Sequence, residues 1–288
     1  MNNNNINVNT IDTTKDKEVK RYNLKNDIIF KAFFAKKGNE EFLIDFLTGL
    51  LKVKIKGITI REEVDLLKFT NEEKGGRLDL QATLSDGTIV NIEMQVRNRG
   101  NIENRTAFYS AHVLSRENEK GTPYEEIKQV IMVNILDYNL LDVEEYVSET
   151  VTVLDKHRGY EVIDLMKYYF IELPKFRKQN PDMNDKLNQW LAVIDDMDRG
   201  KIKMAEEKNE KIKSALDEIE TLTGDEEIQR MAELRDKWER DRISEISYAT
   251  KQGEKKATLK TAKKMLEKKI PIETIIEITG LTKEEIIN

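Results

Sequence analysis

The stretch Arg77–Arg97, RLDLQATLSDGTIVNIEMQVR, decides how the rest of the chain is read. Leu78, Leu80, Ala82 and Leu84 alternate with Asp79, Gln81 and Thr83. Beyond Asp86-Gly87, Val90, Ile92, Met94 and Val96 alternate with Asn91, Glu93, Gln95 and Arg97. Period two on both sides of a turn predicts a β-hairpin. Residues directly opposite each other in an antiparallel pair share a face, and the apolar positions are even-numbered in both strands, so the loop must hold an odd number of residues. A three-residue loop, Ser85-Asp86-Gly87 with the glycine left-handed, meets that demand by pairing Leu84 with Thr88. The same register puts Asp79 opposite Glu93, or one step from it, with Gln95 next on the polar face. A slip of one residue would exchange the faces of one strand and is disfavoured.

Two carboxylates facing each other across a ladder stand about 4.5–5.5 Å apart at Cβ and repel. A divalent cation would offset the repulsion, and Mg²⁺ suits it because that ion takes oxygen ligands, one or two carboxylates among them. Metal-assisted phosphodiester hydrolysis uses such a pair to neutralise the scissile phosphate and to lower the pKa of a bound water. The plainer reading is that Asp79 and Glu93 sit on the solvated face of a sheet, which spacing alone favours.

Composition narrows the chemistry to carboxylates. The 288 residues contain no cysteine, which excludes disulfides, thiolate zinc sites and cysteine nucleophiles. Two histidines, His112 and His157, leave little for imidazole catalysis. His112 reads as a packed core residue, since no second ligand stands at metal spacing. Charged residues make up 35% and hydrophobic residues 39%, enough for one good core and a smaller second unit. No run is long enough to span a membrane, and the asparagine-rich start is no signal peptide, so a cytoplasmic protein is expected. A net charge of -6 argues against a globally basic nucleic-acid coat while leaving room for a local basic groove.

Outward from the hairpin, residues 1–20 read as a disordered Asn-rich tail. Apolar residues from Ile28 to Leu51 fall at three-and-four spacing, predicting two helices broken near Gly38. Residues 55–69 predict a first strand, 102–119 a helix with Arg105 and Tyr109 on one face, and 128–136 and 163–173 further strands, with a weaker one at 150–155. This describes a mixed α/β core over 21–178. Beyond it lies a charged helical arm over 179–250, where Ile202, Ala205, Asn209, Ile212, Leu216 and Ile219 keep heptad spacing with one polar member, as in a coiled-coil seam. The seam reads as an intramolecular helix pair, with Met231, Leu234, Trp238 and Ile246 on the returning helix; a homo-oligomer through the C-terminal helices is the sharper alternative. Residues 251–288 begin with a basic helix, eight lysines against two glutamates over 251–269. Two short helices follow, the second opened by a Thr282/Glu285 capping box.

The segments NDIIFK, RLDLQATLSDGTIVNIEMQ, R..FYSAHVL, FIELPKF and LEKKIPIETIIEITGLTKEEI, spread over residues 22–288, resemble the Rpn family of recombination-promoting nucleases and transposases, members of the PD-(D/E)XK nuclease fold. The resemblance implies an α/β, restriction-endonuclease-like mixed-sheet core followed by an all-helical C-terminal arm. It further implies a Mg²⁺-dependent endodeoxyribonuclease, with Mn²⁺ or Ca²⁺ as alternatives, and a part in recombination or mobile-element activity. Carried over by position, Asp79 and Glu93 become the catalytic, metal-binding acids, Gln95 stands where most of the superfamily has lysine, and Asp27 resembles a further metal contact. An amide carries no charge, so the lysine's electrostatic role would fall to the metal or to Lys31, Lys74 or Arg77. Arg105 and Tyr109 match the family's third helix, where a guanidinium would suit a scissile phosphate; the other reading is that Arg105 pairs structurally with an acid and Tyr109 packs beneath it. The competing function is a catalytically idle, nuclease-derived module that binds DNA or a protein. The last two helices suggest a helix-turn-helix, but the second is so short that a docking or oligomerisation role is expected for them.

Overall fold

The computed structural model describes residues 22–61, 80–117 and 121–287. Asp79, Arg77, Lys74 and the Asn-rich tail lie outside the described residues. The chain opens with two short helices, α1 (Asp27–Phe34) and α2 (Glu40–Leu51), separated at Gly38, which adopts φ +98°. The Asn26 side chain starts α1 by accepting from the backbone N–H groups of Ile28 and Ile29.

A six-stranded mixed sheet follows, in the order β1-β2-β3-β4-β8-β5. Its members are β1 (Ile58–Ile60), β2 (Leu80–Leu84), β3 (Ile89–Gln95), β4 (Val130–Leu136), β5 (Val147–Glu149) and β8 (Met166–Glu172). The hairpin takes the register that parity requires: Leu80 pairs with Ile92 and Ala82 with Val90. Leu84 N–H donates to Thr88 O at 2.8 Å, and Gly87 takes φ +91° in the three-residue loop. β3, β4 and β8 run parallel, so Glu93, Asn134 and Phe170 form one row and Gln95, Leu136 and Glu172 the next. Every residue of β4 is buried, as a strand covered on both faces demands.

Helix α3 (Ile102–Glu117) covers the face that carries the polar residues of β3. Thr106 donates to Asn134 at 3.0 Å, Ser110 Oγ lies 2.9 Å from the Tyr168 hydroxyl, and Val113 packs with Ile89, Val130 and Met132. At its C-terminal end Arg116 donates to Gln81 at 2.9 Å and Glu117 pairs with Arg61, tying the helix to β1 and β2. The polar face of the hairpin is therefore buried: Asn91 and Glu93 are each 3% exposed. His112, expected in the core, lies on the exposed side of α3.

Between β5 and β8 the chain makes a separate hairpin, β6 (Thr152–Leu154) with β7 (His157–Ile163), the second strand exposed throughout. After β8 come α4 (Leu173–Lys178) and α5 (Lys186–Ile194), then α6 (Arg199–Lys208) and α7 (Glu210–Gly224). The coiled-coil seam expected across 202–219 is broken at its polar member. Asn209 ends α6 and caps α7, its Oδ1 accepting from Lys211 N–H at 3.0 Å, while its amide donates to Asp45 at 2.8 Å and to Gln189 at 3.0 Å. Ile212 and Ala215 are buried because α7 packs on α1, α2 and α5. The heptad thus marks a helical face that, up to Gly224, packs on α1, α2 and α5.

A second compact unit spans Gln229–Asn288. Helix α8 runs unbroken from Glu226 to Glu267, through the junction at 250 where the arm was divided from the basic helix. Its last turns build a small core with α9 (Ile272–Thr279) and α10 (Lys283–Ile287), in which Ala262, Ile275, Leu281 and Ile286 are buried. Gly280 closes α9 at φ +67°, and the expected capping box opens α10: Thr282 N–H to Glu285 at 3.0 Å, and Glu285 N–H to Thr282 Oγ1 at 3.3 Å.

Two outcomes are expected of the helical packing. A Cβ on Gly49 would stand 2.8 Å from the backbone nitrogen of Leu187, so α2 and α5 meet there backbone to backbone. Gly49→Ala is expected to destabilise the fold by about 1–3 kcal/mol, because overpacking exceeds the gain of up to about 1 kcal/mol in helix propensity, and thermal denaturation reads it directly. Asp45 accepts from Lys186 at 2.6 Å, Trp190 Nε1 at 2.9 Å and Asn209. Burial alone would raise its pKa, but these hydrogen bonds outweigh it and hold the carboxyl below the ordinary value. A depressed carboxylate stabilises the fold above the unfolded pKa and loses that contribution as pH falls. Asp45→Asn is expected to be less stable than the parent at neutral pH, with the gap in urea denaturation narrowing below about pH 4.

Candidate active site

Strand β3 carries the centre of the site. Glu93 projects from its α3-facing side, and Gln95, two residues on and thus on the same face, donates Nε2 to Glu93 Oε2 at 3.0 Å. Arg105 of α3 approaches the same oxygen, Nη2 at 3.6 Å, a charge contact too long for a hydrogen bond. The guanidinium lies over the Tyr109 ring, 5.3 Å from its centroid, as helical neighbours four apart allow. The structural pairing read from the sequence is therefore present: an acid, a guanidinium on it and an aromatic ring beneath.

Three buried donors on this face have no hydrogen bond among the described residues, Arg105 Nε, Asn91 Nδ2 and Gln81 Nε2, the last on the cross-strand partner of Asn91. Asn91 shares the face of Glu93 from two residues before it. Sequence reading passed over it because an asparagine on an alternating strand looks like a solvated position.

The rim is set by the segment after β4. Asp137 N–H donates to the Gln95 carbonyl at 2.9 Å, which continues the parallel ladder by one step past Gln95 and Leu136. Tyr138 follows and packs with Ile102, Leu136 and Phe170. Burial, then the negative charges of Glu103 and Glu93, push its phenol up to about 12, against the opposing pull of Arg105 and Arg99. The FIELPKF strand end clamps this segment: Glu172, fully buried, accepts from the backbone N–H groups of Leu140 and Leu141 and from Lys175 at 2.6 Å. Lys175 also donates to Leu141 O at 2.8 Å. The motif that reads as a family signature thus fixes the segment that follows β4.

Of the remaining residues singled out by sequence, Asp27 and Lys31 lie one turn apart on α1, Asp27 half-buried and Lys31 only 4% exposed. Helix α1 packs against β3. Asp79 and Arg77 fall outside the described residues, and among the described residues no three acidic or imidazole side chains converge as a metal cluster.

Comparison with known proteins matches this architecture. Residues 24–249, most of the chain and all of the sheet, match the family model for PD-(D/E)XK nuclease family transposase. The chain belongs to that family. Residues 255–288 match the Rpn/YhgA-like nuclease family C-terminal HTH domain. The short C-terminal helices, expected to serve docking or oligomerisation, thus match a helix-turn-helix module, with Gly280-Leu281-Thr282 as the turn between α9 and α10. No curated protein and no solved structure matches the chain. No described helix is long and apolar enough to cross a membrane.

The phenol of Tyr138 gives a measurable handle on the site's field. A raised tyrosine pKa means the folded state holds its proton more tightly, so its contribution to stability is complete below about pH 10, the unfolded value, and is lost as pH climbs toward about 12. Tyr138→Phe is expected to lessen the loss of stability over that window. Glu103→Gln is expected to lower the Tyr138 titration, isolated in ultraviolet absorbance by its difference from Tyr138→Phe.

Proposed function

We infer that the chain is a metal-dependent DNA endonuclease, and that Glu93 with Asp79 holds Mg²⁺ on the α3-facing side of the hairpin. The observation that carries this reading is the convergence of the Gln95 amide and the Arg105 guanidinium on one oxygen of a carboxylate that is 3% exposed. Burying an ion costs several kcal/mol, and a chain accepts that cost where the charge has work to do. The donor set fits the ion: carboxylate and amide oxygens suit Mg²⁺, with Mn²⁺ or Ca²⁺ as substitutes, and no cysteine or histidine in the site favours a softer metal. The hairpin register, with partners summing as Leu80 does with Ile92, is the one in which the sequence pairs Asp79 with Glu93, which supports a two-carboxylate site.

When bound, the ion would neutralise charge on the scissile phosphate and acidify a coordinated water. The chain's own residues do the rest. Arg105, whose buried Nε has no hydrogen bond among the described residues, has donor capacity left for a phosphate oxygen. Gln95 orients the attacking water through its amide and supplies no charge. Tyr109 backs the guanidinium and keeps its plane. Lys31 and Arg77 add positive charge near the cleaved strand, and Asp27 is a further oxygen ligand. DNA outside the site is held by the lysine-rich end of α8 and the helix-turn-helix, largely through phosphates. In this reading the protein acts in recombination or mobile-element movement.

One observation favours a second reading. Glu93 already has both a positive charge and an amide donor on the same oxygen, so the carboxylate is served without any cation. A nuclease-derived module that binds DNA and leaves it intact would look like this.

The two readings part in a plasmid assay. Supercoiled DNA with Mg²⁺ or Mn²⁺ is expected to be nicked or linearised, with no cleavage in EDTA and a loss of about 100-fold or more in Asp79→Ala and Glu93→Gln. Undiminished cleavage by both variants overturns the assignment. DNA retention that falls steeply with salt, with no cleavage in any divalent metal, establishes the binding module.

A further inference from the structure

Helix α3 joins the buried site to the surface through a run of contacts. Arg105 reaches Glu93 at 3.6 Å and covers Tyr109 at 5.3 Å, and the Tyr109 ring meets Phe108 edge to face with centroids 5.7 Å apart. Phe108 is 67% exposed. A single exposed aromatic is ordinary, but the surroundings of this one are not. From Thr106 to Ser115 the helix carries no Asp, Glu, Lys or Arg, in a chain of which 35% is charged. Its outer side presents Ala107, Phe108, Ala111 and His112. The sequence therefore keeps charge away from a π-faced surface that begins one helical turn from the guanidinium, Arg105 and Phe108 being i and i+3.

A guanidinium that takes a phosphate and an aromatic ring one turn away fit the two ends of one nucleotide, since a single sugar joins base to phosphate. A paired base inside a duplex offers only its edges, because its faces are covered by its neighbours; an unpaired base offers a face. Stacking is also tolerant of base identity, so a platform at Phe108 asks for no base-specific contact beside it. We propose that Phe108 is a stacking platform for an unpaired nucleobase next to the phosphate held by Arg105, so that the substrate of this site is DNA with a gap, flap or frayed end in preference to uninterrupted duplex. The proposal deepens the nuclease reading and rests on it for the role of Arg105.

Binding in EDTA tests the platform without cleavage. The full chain is titrated into a duplex containing a gap with one unpaired 2-aminopurine nucleotide, and into the same duplex fully paired. Affinity is read by anisotropy and stacking by quenching of 2-aminopurine. The parent is expected to bind the gapped DNA more tightly and to quench it. Phe108→Ala should lose about 5- to 100-fold in affinity for the gapped DNA, lose the quenching, and bind the paired duplex as before; Phe108→Trp should restore both. Equal affinity of parent and Phe108→Ala for gapped DNA overturns the proposal. So does an equal loss on both DNAs, or a change in oligomeric state on light scattering, which would make the face a contact between copies. Because no metal is present, stacking without any cleavage in the plasmid assay would remove the nuclease and keep the platform, whereas cleavage with no effect of Phe108 would do the reverse.

Discussion

A carboxylate buried in the middle of a sheet has to be compensated, and that requirement at Glu93 organises much of what surrounds it. Left without partners at 3% exposure, an ionised glutamate would cost several kcal/mol, a sizeable part of the net stability of a domain. The chain compensates it locally with Gln95, two residues along the strand, and at longer range with Arg105, which only a helix lying across that face can deliver. The placement of α3 is then secured at points distant from the acid: Thr106 on Asn134, Ser110 at Tyr168, Arg116 on Gln81 and Glu117 with Arg61. These are polar contacts where an ordinary sheet-covering helix would present leucines. Apolar packing is shared between the two faces: Val113 and Ile102 of α3 pack on this one, and on the other Val90, Ile92 and Met94 lie beside Ile131, Val133 and Ile135, all buried.

That division explains which parts of the structure were legible in the sequence. The hairpin register followed from parity alone, because even-numbered apolar positions on both strands and a left-handed Gly87 leave one pairing open. The break between α1 and α2 at Gly38 and the capping box at Thr282 and Glu285 are equally local signals and read correctly. What stayed hidden depended on what lies above a face. Alternation marks the side of β3 that bears Asn91, Glu93 and Gln95 as polar, and a polar side is usually wet; here α3 covers it. His112 illustrates the converse, since a lone histidine on an apolar-looking helix was assigned to the core and points outward.

Asn209 shows a different kind of failure. Heptad spacing measures period and is blind to a helix break at a polar position, so a seam continuous in sequence became two helices meeting at a capped junction. The asparagine is there because Asp45 needs donors, and it supplies one while ending α6 and starting α7. Gly49 belongs to the same assembly: its missing Cβ lets the start of α5 reach α2, which brings Lys186 and Trp190 onto Asp45. A hub of this kind fixes the register of several helices at once, because a one-residue shift in any of them would leave a buried carboxylate short of donors.

The substitution of glutamine for the superfamily's usual lysine can be weighed in the same terms. A lysine at 95 would place a second full positive charge beside Glu93 and Arg105, where two cations would share one buried anion and the surplus charge would be costly. With an amide there, the local count is one guanidinium to one carboxylate, and any further positive charge must come from elsewhere, as a bound cation would bring it. In the nuclease reading proposed above, the guanidinium, backed by Tyr109, is also suited to a phosphate oxygen. The one positive charge on Glu93 among these contacts thus comes from the helix, through Arg105, and the strand adds an uncharged donor, Gln95.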